Sequence, residues 1–265
     1  AILSQIQPED KVYLCSSIDK ENEQLFKDTY DKIEKEFLVY VNSIPHVELV
    51  INNVCERNET YSQAAQNLLL PVEDLNRFDG ILVNMISGFD ISLEQLKHIR
   101  KNYSRLIYFD VHTFSRGLDE NGHRNFRRIA DFNEWAKCID ILQTNESELL
   151  TLSDQEEEAA IVDELFSYGI KQIIITRAEK GATVFYREQN SVKKIHKDGL
   201  KTNVVNKVGC GDVFGAVYFY NYIRNKNVIL ALEQANLFAG IATTYSEAKD
   251  FSNFKRDANE RISKK

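Results

Sequence analysis

Near the end of the chain, the sequence Gly209-Cys210-Gly211-Asp212 opens a long apolar run. The two glycines allow a tight turn and a close approach of the backbone to a ligand. Residues 213–223 predict a helix, and the first N–H groups of a helix, together with its dipole, can bind an anion. A carboxylate there would repel a bound phosphate, but Asp212 could take the proton of a hydroxyl group that attacks the phosphate.

The same residues also suit an ordinary loop-to-helix junction, in which Asp212 is a cap or a first-turn acid. A dinucleotide-binding motif fits less well, because it requires a third glycine where the chain has Phe214, and Gly215 comes one residue late. The chain contains no Gly-x-x-x-x-Gly-Lys-Ser/Thr sequence, which excludes a P-loop protein.

A second candidate site is Thr144-Asn145-Glu146-Ser147-Glu148, which follows a predicted strand. Asn145 and Glu148 are three residues apart and therefore share one face at the start of a helix. A carboxylate and an amide so placed could hold the water shell of Mg²⁺, an ion that usually keeps several of its waters. The pair also resembles a capping box, and both interpretations can hold together.

Two more polar segments follow predicted strands. Asp110 ends one strand and precedes a long polar loop with His112, Arg116 and Arg124. Ligands of open parallel sheets bind at the carboxyl ends of the strands, so Asp110 and Arg116 are candidate substrate-binding residues, although a solvated loop is the simpler explanation. Residues 176–182 predict a strand, a turn and a strand, which could contact a nucleotide or form only a turn.

Strands and helices alternate in the part of the chain that must position these residues. Strands are predicted at 80–86, 106–111, 139–143 and 172–177, with helices at 93–103, 125–138, 146–152 and 156–168. This alternation, with apolar strands, predicts a parallel sheet covered on both faces. A hairpin at 182–187 and 191–196 and helices at 212–225 and 228–245 follow, while a strand at 11–17, a helix at 21–41, a ribbon at 48–61 and a short helix at 63–70 precede.

Composition bounds the class of protein. The 265 residues are 43% hydrophobic, enough for a real core, and without repeats or linkers they predict one α/β domain over 1–265 with the 48–61 ribbon as an appendage. The net charge of −7 argues against nucleic-acid binding, and no apolar run is long enough to span a membrane. Four widely separated cysteines indicate reduced thiols in a cytoplasmic protein, without a disulfide framework or zinc site.

The sequence begins at Ala1 without a methionine, and its first six residues look like the second half of an amphipathic helix. We therefore expect the natural protein to have residues before Ala1.

Taken together, the motifs resemble those of the ribokinase-like (PfkB) family of carbohydrate kinases. Residues 208–214 resemble the family's Thr-Gly-Ala-Gly-Asp-x-Phe motif, Asn145-x-x-Glu148 resembles its Asn-x-x-Glu motif, and residues 175–182 are similar to its Val-Thr-x-Gly-x-x-Gly-Ala segment. The resemblance covers nearly the whole chain. It implies a three-layer α/β/α sandwich with a mainly parallel central sheet, a small β lid near 48–61 and a homodimer formed through that lid.

The resemblance also implies an activity, namely ATP-dependent phosphorylation of a hydroxymethyl group on a sugar or sugar-like substrate. By this resemblance Asp212 is the general base, the N–H groups of Gly209, Cys210 and Gly211 form the anion hole, Asn145 and Glu148 organise Mg²⁺ through water, and Thr176, Gly181 and Asn236 border the nucleotide. A nucleoside or vitamin kinase of the same fold is an alternative, as is a non-catalytic homologue that binds a sugar or nucleotide as a sensor.

The chain departs from the family pattern in three places. Asn206-Lys207 stands where the family has an Asp-Thr pair that helps to bind a monovalent cation in several members, so the resemblance does not extend to that cation site. Ala178 replaces a usual glycine. The family's first strand, with its sugar-binding aspartate, and its Gly-Gly segment have no counterpart here and would lie before Ala1.

Overall fold

The computed structural model of the chain describes residues 6–50, 58–61, 67–70, 73, 75–121, 123–189 and 191–263. In chain order the strands are β1 (Ser16–Ile18), β2 (Leu38–Tyr40), β3 (Val47–Val50), β4 (Asn58–Tyr61), β5 (Gly80–Asn84), β6 (Leu106–Asp110), β7 (Arg116–Leu118), β8 (Arg124–Phe126), β9 (Ile141–Asn145), β10 (Gln172–Thr176), β11 (Ala182–Glu188) and β12 (Ser191–Lys197). The helices are α1 (Glu23–Tyr30), α2 (Leu93–Asn102), α3 (Phe132–Ala136), α4 (Glu146–Leu149), α5 (Glu158–Ser167), α6 (Cys210–Asn225), α7 (Val228–Ala242) and α8 (Phe254–Ile262).

The central sheet has the strand order β12-β11-β10-β9-β6-β5. The four strands β5, β6, β9 and β10 run parallel, and β11 pairs antiparallel with both β10 and β12. Because side chains alternate across a strand, Phe109 packs into the core on one face and Tyr108 into the core on the other. Helices α2, α3 and α5 cover the first face, and α6, α7 and α8 cover the second. The predicted three-layer α/β/α sandwich is confirmed.

Most predicted elements of the sandwich are present with small shifts at their ends. The helix predicted at 125–138 is wrong over its first part, because residues 124–126 pair with residues 116–118 as a β-ribbon and only 132–136 are helical. The helix predicted at 21–41 ends at Tyr30, because the apolar residues 38–40 form β2 and pair in parallel with β1. These pairings join segments far apart in sequence, which periodicity does not detect.

Predictions for the start of the chain fall partly outside the described residues. The half-helix at the first six residues lies almost wholly outside them, and the helix predicted at 63–70 is not present over 67–70, its described part. The ribbon predicted at 48–61 is present as β3 and β4, which pair antiparallel apart from the central sheet. We call β3 and β4 the lid ribbon. Within the described residues, no helix is long and apolar enough to cross a membrane.

The turn between β10 and β11 requires unusual backbone angles at two residues. Gly181 has a φ of 90°, and a Cβ atom there would lie 2.1 Å from the carbonyl oxygen of Lys197, so only glycine fits. Ala178, which stands where the resembled family has glycine, has a φ of 50°. A left-handed backbone is unfavourable for alanine because its Cβ crowds the carbonyl oxygen.

We therefore expect Ala178→Gly to stabilise the protein. A left-handed conformation costs alanine about 1–2 kcal/mol, and glycine loses about 0.5–1 kcal/mol more on folding, so the free energy of unfolding should rise by roughly 0.5–1 kcal/mol. Chemical denaturation measures this change. Gly181→Ala is the matched control and should lower the midpoint because of its clash with Lys197. A midpoint for Ala178→Gly at or below that of the unaltered chain would contradict the argument.

Candidate active site

Polar residues lie along one edge of the central sheet, where its parallel strands end, and Asp110, Asn145 and Thr176 among them were predicted as site residues. Asn84 ends β5 and is paired in register with Asp110, which ends β6. Asp110 is paired with Gln143 of β9, and Asn145, which ends β9, is paired with Thr176 at the end of β10. The carboxyl ends of open parallel sheets are the usual place for a ligand.

The glycine stretch forms the start of α6 beside this edge. Gly209 has a φ of 77° and precedes the first helical residue, Cys210. The segment before it is held at two points, since Asn206 accepts a hydrogen bond from the N–H of Val208 at 2.9 Å and the N–H of Val205 donates to Thr243 at the end of α7 at 2.7 Å. The first N–H groups of α6 therefore have a fixed orientation, as an anion site requires.

Asp212 lies in the first turn of α6, and its side chain is exposed. The side-chain amide of Asn84 donates to its Oδ1 at 2.7 Å, so one oxygen is held by the end of β5. Sequence reasoning missed Asn84. The available signal was a polar residue within the otherwise apolar predicted strand at 80–86.

Asp110 is buried behind this position. Its carboxylate accepts hydrogen bonds from the side chain of Gln143 at 2.8 Å and from the N–H of His112 at 3.0 Å. Burial, with the nearby carboxylates of Glu148 and Asp212, raises the pKa of Asp110 to about 7, although the charge of His112 acts in the opposite direction. Asp110 thus lies inside the site, within a cluster of like charges.

Asn145 and Glu148 form a full capping box at the start of α4. The side chain of Asn145 accepts from the N–H of Glu148 at 2.8 Å, and Glu148 Oε2 accepts from the N–H of Asn145 at 2.9 Å. The other carboxylate oxygen of Glu148 lies 2.7 Å from Nδ1 of His112. The structure thus shows the capping role and adds a His112 partner that the sequence did not predict.

The predicted nucleotide-binding residues lie toward the antiparallel side of the sheet. Thr176 donates to the carbonyl of Thr144 at 3.3 Å. Asn236 on α7 donates to the carbonyl of Lys197 at 3.0 Å, and that carbonyl also lies next to Gly181. The end of β12 therefore brings Gly181 and Asn236 together.

The loop after Asp110, for which a solvated connection was the simpler explanation, is instead the β7–β8 ribbon packed on the lid ribbon. Arg116 is buried there, with its guanidinium 4.2 Å from the ring centroid of Phe126. A β-bridge joins Thr60 of β4 to His123, next to β8. Arg116 is thus a buried residue of a β-ribbon, which is a different setting from the solvated loop that the sequence indicated.

Arg124 of β8 joins three segments and is fully buried. Its guanidinium donates to the hydroxyl of Tyr61 in the lid ribbon at 2.7 Å, to the carbonyl of Ser87 after β5 at 2.6 Å and to the carbonyl of Thr113 after β6 at 2.5 Å. It also lies 3.8 Å from the buried carboxylate of Glu59. One side chain therefore fixes the lid ribbon relative to two loops at the carboxyl edge of the sheet.

Comparison with known proteins gives a family match. The family model described as pfkB family carbohydrate kinase matches residues 74–254. A search of curated protein sequences gives no significant match.

Solved structures match over nearly the whole chain. Ribokinase from Thermotoga maritima is 16% identical with a TM-score of 0.77, over 99% of this chain and 84% of that chain. A pyrophosphate-dependent kinase in the ribokinase family, complexed with a pyrophosphate analog and myo-inositol, is 17% identical with a TM-score of 0.77, over 98% and 89%. A putative ribokinase II from E. coli with ATP and Mg²⁺ is 13% identical with a TM-score of 0.72, over 98% and 86%. At these identities the likeness shows the fold.

The raised pKa of Asp110 makes a prediction about stability and pH. The folded chain binds the Asp110 proton more tightly than the unfolded chain, so this group stabilises the fold fully below about pH 3.8, and the contribution is lost as the pH rises through about 7. Asp110→Asn cannot ionise. The free energy of unfolding of Asp110→Asn minus that of the unaltered chain should therefore rise between pH 5 and pH 8. Denaturant titrations at both pH values measure this difference, and a constant difference would contradict the assignment.

Proposed function

Because the chain belongs to the pfkB family of carbohydrate kinases, we propose that it transfers the γ-phosphate of ATP to a hydroxymethyl group of a sugar or sugar-like substrate. The observation that carries this proposal is the position of Asp212, exposed in the first turn of α6 beside the N–H groups of Gly209, Cys210 and Gly211, with Asn84 orienting its carboxylate. A base and an anion site thus lie next to each other.

In the proposed reaction, the acceptor oxygen attacks the γ-phosphorus as its proton passes to Asp212. The bond between the γ-phosphorus and the bridging oxygen breaks, and ADP leaves with the electron pair. Little covalent work falls to the protein in such a transfer, so rate depends on positioning and on stabilising charge. The α6 N–H groups face the charge that develops on the transferred group.

Mg²⁺ would offset the negative charge that the donor adds to this acidic site. Asn145 and Glu148 carry amide and carboxylate oxygens of the kind that suit Mg²⁺, but backbone N–H groups and His112 already engage these oxygens, so the pair would act on a hydrated ion through its water shell. The bound ion would supply charge neutralisation at the phosphates. In this chain Glu148 is also held by His112, which fixes the direction of its carboxylate.

ATP is the proposed donor because the loop before Gly209 presents apolar surface. Val204 is 50% exposed and Val205 62% exposed. Both precede Gly209 in the sequence, whereas Asp212 follows it. A nucleotide base would cover such side chains, whereas pyrophosphate would not. Thr176, Gly181 and Asn236 are further proposed neighbours of the nucleotide. Pyrophosphate is the second donor to test, since one kinase of similar fold is pyrophosphate-dependent.

We propose four further properties of the protein. Residues 1–265 form one ribokinase-like domain with the lid ribbon as its appendage. The protein is cytoplasmic. It forms a homodimer through the lid ribbon, where Leu49 and Val50 are exposed apolar residues of β3, and Asp110 and Arg116 border the acceptor site.

A donor–acceptor panel tests the proposed function and its alternatives. Each donor, ATP with Mg²⁺ or pyrophosphate with Mg²⁺, is combined with pentoses, hexoses, inositols, nucleosides and vitamin alcohols, and new phosphate esters are detected by mass spectrometry. Esters of sugars or inositols support the proposal. Esters formed only from nucleosides or vitamins favour the alternative kinase, and binding without any ester favours a sensor.

The first variant concerns the general base. Asp212→Asn should keep the fold and donor binding but lower turnover by roughly 10²–10⁴-fold, because it removes the proton acceptor. Asp163→Asn, an exposed carboxylate on α5, is the matched control and should keep full activity. Near-normal turnover of Asp212→Asn would remove Asp212 from this role.

The second variant concerns the metal. Glu148→Gln should raise the Mg²⁺ concentration needed for half-maximal activity, because it removes a negative charge from the ion's surroundings. If Glu148 acts only as a cap, activity should hold while stability falls by about 0.5–2 kcal/mol. Gln95→Ala removes the corresponding third residue of the capping box of α2 and controls for lost capping. A Mg²⁺ titration with a melting curve for each variant separates the two outcomes.

The third variant concerns the donor. Val205→Ser should raise the KM for ATP by about three- to ten-fold, because a nucleotide base would lose apolar contact. Val192→Ser on β12 is the matched exposed control. If the protein turns over with pyrophosphate and Val205→Ser does not change that turnover, the nucleotide is not the donor.

A further inference from the structure

We propose that Gln143 is a positioning residue of the kinase, through which the central sheet sets the position of the first turn of α6 and hence of Asp212 and the anion-binding N–H groups. This inference rests on the proposed function. It concerns a side chain that belongs to neither the glycine stretch nor the Asn145–Glu148 pair.

The contacts of Gln143 connect three parts of the site. Its side-chain N–H group donates to the carbonyl oxygen of Gly211 at 3.2 Å and to Asp110 Oδ2 at 2.8 Å. Its oxygen accepts from the hydroxyl of Tyr108. Two acceptors on one side and a donor on the other allow a single orientation of the amide. Gln143 is only 3% exposed, so water cannot substitute easily for these bonds.

The helix is packed directly on this amide. Gly211 and Gly215 are one helical turn apart and face the same way. A Cβ atom on Gly215 would lie 2.7 Å from Gln143 Oε1 and 3.3 Å from the hydroxyl of Tyr108. A Cβ atom on Gly211 would lie 3.8 Å from Gln143 Nε2. The glycines thus allow α6 to approach the sheet closely, and the amide sets how close it comes.

This contact bears on catalysis because it lies next to the reacting groups. Gly211 supplies one of the proposed anion-binding N–H groups, and its carbonyl is the atom that Gln143 binds. Asp212 is the next residue, and its side chain is held separately by Asn84. A shift of the first turn would therefore move the base and the anion site together relative to the donor. Displacements of about 1 Å in such sites can lower rates by roughly 10²-fold.

The sheet contains a matched pair for comparison. Gln172, at the opposite end of neighbouring β10, is also buried and accepts from the hydroxyl of Tyr218 on α6 at 2.8 Å. Gln172 thus binds α6 through the side chain of Tyr218, whereas Gln143 binds α6 through the carbonyl of Gly211 in the glycine stretch. If Gln143 had a purely structural role, substitution of Gln143 and substitution of Gln172 should affect turnover similarly.

The experiment compares Gln143→Met with Gln172→Met, since methionine has a similar shape but offers no amide. Turnover is measured as phosphate-ester formation with the donor and the pooled acceptors of the panel, and stability by thermal melting. We expect both variants to lower the melting temperature. Gln143→Met should also lower kcat by about 10²-fold while KM for the donor changes little, and Gln172→Met should keep kcat within about two-fold.

A second variant covers the case in which Gln143→Met does not fold. Tyr108→Phe keeps the ring in the core but removes the hydroxyl that fixes the amide oxygen, and should lower kcat by a smaller factor than Gln143→Met while Tyr218→Phe leaves kcat unchanged.

The inference is overturned if kcat of the Gln143 and Tyr108 variants stays within about two-fold of the parent, or if the Gln172 and Tyr218 controls lose kcat equally. Failure of the proposed function is a separate result, recognised because the unaltered chain would then form no phosphate ester.

Discussion

The close approach of α6 to the central sheet is the constraint on which the site depends. Helices usually keep side chains between their backbone and a sheet, whereas here two glycines face the buried amide of Gln143. This contact places the start of the helix beside the carboxyl ends of β5, β6 and β9. Gln143 joins the backbone of Gly211 to the buried carboxyl of Asp110, and Asn84 holds the exposed carboxylate of Asp212 separately. The hydroxyl of Tyr108, in the core behind the helix, donates to the side-chain oxygen of Gln143.

The sequence predicted those features that depend on neighbours along the chain. Apolar strands alternating with helices indicated the parallel sheet and its two covering layers, which the structure confirms. The capping pair of Asn145 and Glu148 is likewise local, because the two residues are three positions apart and bond each other's backbone N–H groups. The match of a family model over residues 74–254 agrees with the resemblance that these motifs carry.

Features that join distant segments could not be predicted in this way. The bond from Asn84 to Asp212 spans 128 positions, and that from Gln143 to Gly211 spans 68. Asn84 and Gln143 are polar residues near the ends of apolar strands. That position indicates a site, but it does not identify the residue to which each side chain bonds. The β7–β8 ribbon was missed for a related reason, because Arg124 is charged yet buried by partners from three segments. A charged residue in a polar stretch looks solvated until those partners are known.

The guanidinium of Arg124 has a mechanical consequence for the lid ribbon. It is planar and binds groups from the lid ribbon and from the loops after β5 and β6 at once, so the lid ribbon and these two loops are joined rigidly. A lysine, with a single nitrogen on a flexible stem, could not brace all three. Any movement of the lid ribbon at Tyr61 must then carry the loops after β5 and β6 with it, so these three segments shift as one unit.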